Sequence, residues 1–309
     1  MKAIYIEQHG GPEVLRYGDL PDPQPKPGEI VVNVVAASVN GADWKVRAGE
    51  SHRQSHFPYV LGRDFSGVVG ALGGGVNDLR IGEPVFGVLE FGRDGAYAER
   101  VSIMAPLVAT KPPSMTHEVA AAMALTGLTA ISAIEETLKL KAGERILIQG
   151  GAGGVAGFAI QLAKHIGARV ITTASAANHA YVRGLGADEI IDYRSQDFTK
   201  VVANCDAVFD TVGGDVAQKC FAVLRSGGRA AFIASGLQAP PSTRPDVTSL
   251  RPLAERARRH LDRIAELFTA GAVRPPEIDL YALSQAAAAH RVSESRHLRG
   301  KLVLQVQQA

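Results

Sequence analysis

A glycine-rich turn between an apolar strand and an apolar helix is the part of this sequence best suited to chemistry. The predicted strand covers residues 144–148, and apolar residues at helical spacing follow the turn. Gly151 permits a tight bend, Gly153 lets a pyrophosphate approach the backbone, and Ala156 takes the position that needs a small side chain. The N–H groups and the dipole of the helix N-terminus favour phosphate. This order predicts a dinucleotide-binding turn.

The residues after the second predicted strand, 169–175, distinguish between the two nicotinamide dinucleotides. An NAD site usually has an acidic residue about twenty positions after the glycine turn, where it holds the ribose 2′-hydroxyl. This strand ends instead in hydroxyl side chains. The polar and basic residues nearby in sequence are Ser175, Arg183, Tyr193 and Arg194. Such donors suit a 2′-phosphate, so the sequence predicts NADPH. The alternative is that Ser175 and Asn178 only cap the next helix.

Alternating strands and helices between residues 113 and 255 predict a doubly wound parallel sheet, a Rossmann domain that binds NADPH. Further strands are predicted over 189–193, 207–214 and 229–234, and a helix over 216–224. Ligands bind at the carboxyl ends of the strands in such sheets. The residues predicted to line the cofactor site at these ends are Val212, Gly213, Ser235 and Gly236.

The two ends of the chain have a different character. Residues 1–112 contain short apolar runs separated by Gly and Pro, which predicts a small β-barrel. A basic helix is predicted over 253–270, and its alternating charges are typical of a solvated face. The tail 301–306 is an apolar strand that must pair with another strand. If it pairs with the N-terminal barrel, residues 256–309 complete that barrel and the Rossmann domain is an insertion.

Composition restricts the protein class. The 309 residues suffice for two domains, and the net charge of +2 gives no reason to expect nucleic acid as the main partner. No apolar stretch approaches the length of a membrane span, and the N-terminus lacks a signal-peptide pattern, so we expect no membrane partner and a cytoplasmic protein. Cys205 and Cys220 lie among apolar residues and are interpreted as buried small side chains.

Several motifs carry a resemblance over nearly the whole chain. In order they are Gly10-Gly11-Pro12-Glu13-Val14-Leu15, Asn40-x-x-Asp43-x-Lys45-x-Arg47-x-Gly49, Leu61-Gly62-Arg63-Asp64-Phe65-Ser66-Gly67, Gly95-Ala96-Tyr97-Ala98-Glu99, Leu125-Thr126-Gly127-Leu128-Thr129-Ala130 and Ala152-Gly153-Gly154-Val155. The sequence resembles the zinc-free quinone oxidoreductase branch of the medium-chain dehydrogenase/reductase superfamily, the branch that contains zeta-crystallin. The resemblance implies a GroES-like barrel with an inserted Rossmann domain and NADPH in the cleft between them. It also implies reduction of quinones or of the C=C bond of α,β-unsaturated carbonyls.

The same resemblance bears on zinc. Zinc-dependent relatives have a cysteine about where Asn40 stands and a Gly-His-Glu motif where this chain has Gly62-Arg63-Asp64, and their four-cysteine lobe is missing here. Catalytic zinc needs three protein ligands, so we expect no metal. His52 and His56 have a ligand-like spacing, but they fall in a polar segment and are interpreted as solvated.

The resemblance assigns cofactor contacts to matching positions. Gly41, Asp43 and Lys45 would face the nicotinamide, Thr129 the carboxamide, Gly154 and Val155 the pyrophosphate, Ser175 and Tyr193 the 2′-phosphate, Val212 and Ser235 the ribose and ring, and Arg296 another part of the cofactor. The family's usual 2′-phosphate lysine falls at Asn178, which weakens the expected NADPH preference. The resemblance also implies a homodimer, although the segment after Gly236 is short where relatives carry the strand used in dimerisation.

We therefore expect hydride transfer from NADPH to a small quinone or enone, with Asn40 and Lys45 as donors to the carbonyl oxygen on which charge develops. Two other interpretations stay open. Asn40 could instead hold a strand-to-helix turn, with Lys45 a solvated helix residue. The protein could also be a non-catalytic, crystallin-like or regulatory NADPH-binding protein.

Overall fold

The computed structural model describes residues 1–51 and 56–307. Contacts along the chain divide it into two compact units. We call the first the barrel unit, which comprises Met1–Leu125, Arg256–Thr269 and Pro275–Ala309, and the second the sheet unit, which comprises Thr126–Glu255 and Ala270–Arg274. The domain limits predicted from the sequence, 1–112 and 256–309 for the GroES-like domain and 113–255 for the Rossmann domain, stay a prediction.

The chain begins with the short strands of the barrel unit. In order, its elements are β1 (Lys2–Ile6), β2 (Arg16–Asp19), β3 (Glu29–Val39), α1 (Gly41–Arg47), β4 (Tyr59–Val60), β5 (Asp64–Leu72), β6 (Pro84–Val88), β7 (Arg100–Met104) and β8 (Val108–Thr110). The helix α2 (His117–Ile131) begins in the barrel unit and continues into the sheet unit. The long strand β3 pairs antiparallel with β5 and with β7. Its β-branched residues are buried almost throughout, as expected for a central strand.

The sheet unit alternates strands and helices. Its elements are β9 (Arg145–Ile148), α3 (Gly154–Ile166), β10 (Arg169–Thr173), α4 (His179–Gly184), β11 (Glu189–Ile191), α5 (Phe198–Val201), β12 (Cys205–Asp210), α6 (Asp215–Lys219), β13 (Leu224–Phe232) and β14 (Thr248–Leu250). All pairs are parallel, and the order is β11-β10-β9-β12-β13-β14. This is the strand order of a dinucleotide-binding doubly wound sheet, so the predicted fold class is confirmed.

The last elements return to the barrel unit. They are α7 (Arg258–Thr269), β15 (Ile278–Ala282), α8 (Ala286–Glu294) and β16 (Lys301–Gln305). β16 pairs antiparallel with β3, with Leu302 opposite Val39, and parallel with β15. The predicted pairing of the tail with the N-terminal barrel is therefore confirmed, and the main segment of the sheet unit, Thr126–Glu255, is inserted between segments of the barrel unit.

Some predicted elements were wrong in extent. The helix predicted over 216–224 ends as α-helix at Lys219 and tightens into a 3₁₀ turn, Cys220–Val223, before β13. The basic helix begins only at Arg258, because residues 251–257 have no regular structure, and the Arg256 guanidinium lies 3.9 Å from the centre of the Phe91 ring. The segment after Gly236, in which no strand is predicted from the sequence, contains the edge strand β14.

One helical segment is longer and more apolar than predicted from the sequence. α2 continues through a turn of π-helix to give 21 residues, His117–Thr137, which by length and composition could cross a membrane. Most of this segment is buried within the protein, as in a core helix of a soluble fold. The expectation that no apolar stretch reaches membrane length was therefore wrong. Burial inside the protein, rather than length, is the argument against a membrane span.

Both cysteines are buried, as predicted. Burial in apolar surroundings raises the pKa of the Cys205 thiol to about 11 and raises that of Cys220 as well. Each thiol therefore stays protonated near neutral pH and is a poor nucleophile. Neither cysteine belongs to the candidate site.

Candidate functional site

The glycine turn follows β9 and has two residues with distinct roles. Gly150 has a φ of +73°, so it is the residue that needs the left-handed conformation. A Cβ on Gly151 would lie 2.2 Å from the Oγ1 atom of Thr172, so Gly151 is required by close packing against β10. Gly151 lies inside the predicted tight turn, which Gly153 N closes on the Gly150 carbonyl oxygen at 3.0 Å, and Gly150 supplies the left-handed residue just before it.

The residues after the bend form an open cradle. Gly153 is the N-cap of α3, and a Cβ there would meet only the carbonyl oxygen of Gly150, at 3.4 Å. Gly154 and Val155 begin the helix, where the first N–H groups lack intrahelical partners. Ala156 is buried at the position that needs a small side chain. A pyrophosphate fits this arrangement, since the backbone is uncovered and the helix dipole favours an anion.

The polar residues after β10 lie beside this turn in sequence and structure. Thr173 Oγ1 accepts a hydrogen bond from Gly150 N at 3.1 Å. Ser175 is almost buried, and its Oγ accepts a hydrogen bond from Asn178 Nδ2 at 3.3 Å. Ser175 and Asn178 occupy the N-cap positions of the following 3₁₀ turn and of α4, as the capping alternative predicted, but their side chains bond each other and make no capping hydrogen bond. Tyr193 is half exposed.

The carboxyl end of β12 carries a buried acid that shapes the next loop. Asp210 accepts hydrogen bonds from Val212 N and Gly213 N, both at 3.0 Å, while burial raises the pKa of its carboxyl group. Gly213 has a φ of +81°, and a Cβ there would lie 2.8 Å from the carbonyl oxygen of Ala234. This geometry leaves the Val212 side chain exposed at the end of the sheet.

Thr129 and Ser235 lie elsewhere in the sheet unit. Thr129 is half-buried on α2. Ser235 follows β13, and its hydroxyl donates to the carbonyl oxygen of Gln238 at 3.2 Å. Ser235 therefore lies in a loop at the same carboxyl edge of the parallel sheet as Val212.

In the barrel unit, Asn40 lies at the junction of β3 and α1, inside a buried polar network. Its Nδ2 donates to Asp64 Oδ1 at 2.7 Å, and its Oδ1 accepts from Lys301 Nζ at 2.7 Å. The other contacts of Nδ2, to Ser38 O and Oγ, are both 3.4 Å long. The Asn40 backbone N donates to Asp43 Oδ2 at 2.8 Å, which holds the first turn of α1 with Asn40 at its N-cap. Asn40 thus both holds the strand-to-helix turn and connects two buried charges.

The charges of this network are strongly desolvated. Burial raises the pKa of Asp64, opposed chiefly by the positive charge of Lys301. Burial lowers the pKa of Lys301, opposed by Asp64 and Asp43. Asp43 is also buried, and burial raises its pKa to about 6, opposed chiefly by Arg63. Its Oδ2 accepts a second hydrogen bond, from the Tyr97 hydroxyl at 3.1 Å.

We expect Asp43 to make folding stability depend on pH. Its folded pKa lies above the unfolded value near 3.9, so the folded state loses stability as pH rises through 6. In Asp43→Asn the side-chain oxygen can still accept both hydrogen bonds, and this loss disappears. Urea unfolding should show the wild type losing about 1.5 kcal/mol relative to Asp43→Asn between pH 5 and pH 8. A stability difference between the wild type and Asp43→Asn that does not change with pH would contradict this.

A second group in the barrel unit surrounds Trp44. Lys45 is half-buried on α1, with Nζ 5.6 Å from the centre of the Trp44 ring. The guanidinium of Arg296 lies 5.4 Å from the same ring. Arg296 has a φ of +57°, a conformation that costs energy for a non-glycine residue and is common at functional sites. Gly41 is exposed at the start of α1. The structure thus brings Lys45 and Arg296, distant in sequence, to one aromatic side chain.

The donor set around Asn40 does not suit zinc. An amide, a carboxylate and an ammonium group meet there, whereas catalytic zinc takes three histidine, cysteine or carboxylate ligands. Among residues 1–51 and 56–307, no group of three or more such side chains could hold a metal ion. His52 lies outside the described residues. His56 Nε2 is 3.3 Å from the Asp94 carboxylate.

Several residues of these groups were missed in the sequence analysis. Asp64 was noted only as a replaced zinc ligand, and Lys301 only as part of the tail strand. Their side chains meet at Asn40, and Lys301 is 261 positions away from it in sequence. The one available signal was that Lys301, a charged residue, stands directly before the three apolar residues of β16. Asp210 and Trp44 were also missed as site residues.

Comparison with family models identifies both parts of the chain. Residues 26–113 match the alcohol dehydrogenase GroES-like domain, and residues 185–304 match a model described as zinc-binding dehydrogenase. The second description is that of the family model, and it assigns no metal to this chain.

Individual relatives cover almost the whole chain. An NADPH-dependent alkenal/one oxidoreductase of Arabidopsis thaliana chloroplasts is 32% identical over 98% of this chain and 79% of its own length. A quinone oxidoreductase of Pseudomonas aeruginosa is 32% identical over 98% of this chain and 99% of its own. Among solved structures, the quinone oxidoreductase from Coxiella burnetii has a TM-score of 0.95 and 36% identity, covering 99% of both chains.

Proposed function

We propose a reaction for this protein from its membership of the zinc-free quinone oxidoreductase branch of the medium-chain dehydrogenase/reductase superfamily. The protein is an oxidoreductase that uses NADPH to reduce quinones or the C=C bond of α,β-unsaturated carbonyls. The observation that carries this function is the glycine turn from Gly150 to Gly154, which leaves an uncovered helix N-terminus at the edge of a parallel sheet.

NADPH supplies the hydride, and the protein supplies binding and orientation. We propose that Gly151, Gly153, Gly154 and Val155 bind the pyrophosphate through the N-terminus of α3. Ser175 and Tyr193 bind the 2′-phosphate through their hydroxyl groups: Ser175 lies just beyond β10, where an NAD site has an acid, and Tyr193 follows the neighbouring strand β11.

The other cofactor contacts are proposed from position. Val212 and Ser235 bind the ribose and ring at the carboxyl edge of the sheet, and Thr129 binds the carboxamide. Gly41 and Asp43 shape the turn that faces the nicotinamide, and Arg296 contacts the cofactor as a cation.

Two side chains are proposed to stabilise the charge that develops on the substrate's carbonyl oxygen. Lys45 offers an ammonium group at the surface of α1. Asn40 offers its second amide hydrogen, which has only long contacts of 3.4 Å to Ser38. Each donor stabilises an enolate or hydroquinone anion more than the neutral substrate, which is the condition for accelerating the reaction.

We expect activity without zinc. The donors around Asn40 do not form a zinc ligand set, so no Lewis acid is available there to stabilise the alkoxide of a simple alcohol. Purified protein should contain less than stoichiometric zinc by metal analysis and should keep its reductase rate after dialysis against EDTA. One zinc per chain, or ethanol oxidation that is lost on chelation, would contradict this prediction.

A turnover assay tests the function itself. NADPH consumption is followed at 340 nm with 1,4-benzoquinone, 9,10-phenanthrenequinone and a series of enones. We expect catalytic turnover of at least one of these substrates. NADPH binding with turnover of none would favour the non-catalytic, crystallin-like alternative.

We also propose that the protein is a cytoplasmic homodimer. The strand β14 forms the end of the sheet and, within the described residues, pairs only with β13. Such an edge can pair with the same edge of a second copy. Light scattering after size-exclusion chromatography should give twice the chain mass of 32.6 kDa. A mass of one chain at micromolar concentration would contradict the dimer.

A further inference from the structure

Lys301 is a buried cation that has no role in the reaction proposed above. Its side chain is 4% exposed, and it opens an otherwise apolar strand, β16. The ammonium group donates to Asn40 Oδ1 at 2.7 Å and to the carbonyl oxygen of Val39 at 2.8 Å. Burying a lysine is costly unless its charge is used. The residue it contacts, Asn40, is the one proposed to contact the substrate.

The contacts on the two sides of Asn40 fix which way its amide faces. A cation on one side requires the amide oxygen, since an ammonium group can only donate. The carboxylate of Asp64 on the other side requires the amide nitrogen, since an ionised carboxylate can only accept. Asp64 is itself held by the Ser38 hydroxyl at 2.8 Å and by Leu125 N at 3.2 Å. The Asn40 amide therefore has one favourable orientation of the two related by a flip.

The pairing of β16 with β3 places the Lys301 ammonium group at Asn40. Leu302 is opposite Val39, so the preceding residue of β16 lies beside Asn40 as the chain leaves β3 for α1. The C-terminal strand thus completes a site that begins near residue 40. The C-terminal strand therefore contributes a polar contact to Asn40 in addition to its packing in the barrel unit.

We propose that Lys301 is a positioning residue that fixes and polarises the Asn40 amide, so that its second N–H is presented to the substrate oxygen. The inference rests on the proposed function. Hydrogen bonds in a chain polarise one another, so an ammonium group on the amide oxygen strengthens the N–H groups as donors. Lys301 acts through Asn40 and does not itself touch the substrate.

A double-mutant cycle tests the coupling. Lys301→Met should lower kcat at least tenfold and change the KM for NADPH less than twofold, whereas Lys301→Arg should stay within about threefold of wild type because it keeps the charge. In an Asn40→Ala background, Lys301→Met should lower kcat less than twofold further. Lys111→Met, which removes a partly buried lysine bonded to the Pro112 and Met115 carbonyls, is the control and should leave kcat unchanged. If the double variant instead lowered kcat by the product of the two single-variant factors, the proposal would be overturned.

A crystal structure of Lys301→Met gives a readout that does not depend on turnover. Without the cation, the Asn40 Oδ1 atom loses its donor, so the side chain should move or occupy more than one conformer while Asp64 still holds its Nδ2 atom. An Asn40 side chain that stays in a single conformer at the wild-type position would overturn the proposal. If Lys301→Met does not fold, the same comparison is made on Lys301→Gln.

The pH dependence of kcat in the wild type and in Lys301→Arg, which keeps the positive charge, provides the decisive measurement. Lys301 faces Asp64 on β5 and Asp43 on α1, and burial lowers its pKa below the usual value of 10.5. The wild-type kcat should therefore fall at alkaline pH with an apparent pKa below 10.5, and Lys301→Arg should shift this fall to higher pH. An identical alkaline fall in both proteins would overturn the proposal. A wild type inactive on every quinone and enone would instead refute the proposed function, and this inference with it.

Discussion

Replacing Lys45 with alanine is expected to lower kcat/KM roughly ten- to a thousandfold, equivalent to about 1.4 to 4 kcal/mol of transition-state stabilisation. The ammonium group of Lys45 lies 5.6 Å from the centre of the Trp44 ring on α1, the helix whose N-cap is the proposed donor Asn40. A cation at the carbonyl oxygen stabilises the anionic product-like state more than the neutral substrate. The loss should therefore fall mainly on kcat, measured with both a quinone and an enone, while NADPH affinity changes less.

Two control variants separate the charge of Lys45 from its packing. Lys45→Met keeps the length of the side chain against Trp44 but removes the charge, and it should lose as much activity as Lys45→Ala. Lys2→Met removes an exposed lysine paired with Asp19 and should leave kcat unchanged. Wild-type turnover by Lys45→Ala on both substrate classes would make Lys45 a surface residue and leave substrate orientation as the main source of catalysis.

The second large effect concerns cofactor choice. Wild-type protein should bind NADPH more tightly than NADH by about 1 to 3 kcal/mol, the span of a few charge-assisted hydrogen bonds. Ser175 lies just beyond β10, and its hydroxyl is 3.3 Å from the Asn178 amide. In Ser175→Asp a carboxylate would repel the 2′-phosphate and could bond the free 2′-hydroxyl of NADH. The preference should reverse, as measured by the dissociation constants of the two cofactors from fluorescence titration.

Asn178→Lys provides the opposite change at the neighbouring position. The resemblance to the family places a phosphate-binding lysine here, and Asn178 already lies beside Ser175. This variant should bind NADPH more tightly and NADH with nearly unchanged affinity. Equal dissociation constants for NADPH and NADH in the wild type, or no change in either variant, would mean that these residues do not contact the 2′-phosphate.

Much of the fold could be predicted because it depends on local patterns. The glycine turn between β9 and α3 has a local signature, since both the bend and the following helix are specified within about twenty residues. The alternation of strands and helices likewise predicts the parallel sheet. The edge strand β14 was missed because it has only three residues and follows a proline-rich segment, where the pattern favours a loop.

The candidate site was harder to predict because its contacts join distant parts of the chain. Asn40 and Lys45 could be selected from a motif, but the bond from Lys301 to Asn40 depends on how β16 pairs with β3. The close packing of Gly151 is also a tertiary effect, since only the position of Thr172 on β10 shows why this glycine lacks a side chain. Local sequence does not contain these distances.

The central claim is that hydride passes from NADPH to the substrate without a metal. The most direct test is the single-turnover rate of EDTA-treated protein with NADPH carrying deuterium at the 4R or the 4S position, on the best quinone or enone. A single turnover isolates the chemical step from product release. We predict that deuterium at one of the two positions slows NADPH oxidation and that the other does not. Substrate reduction slowed by neither label, or lost once zinc is removed, would contradict the account.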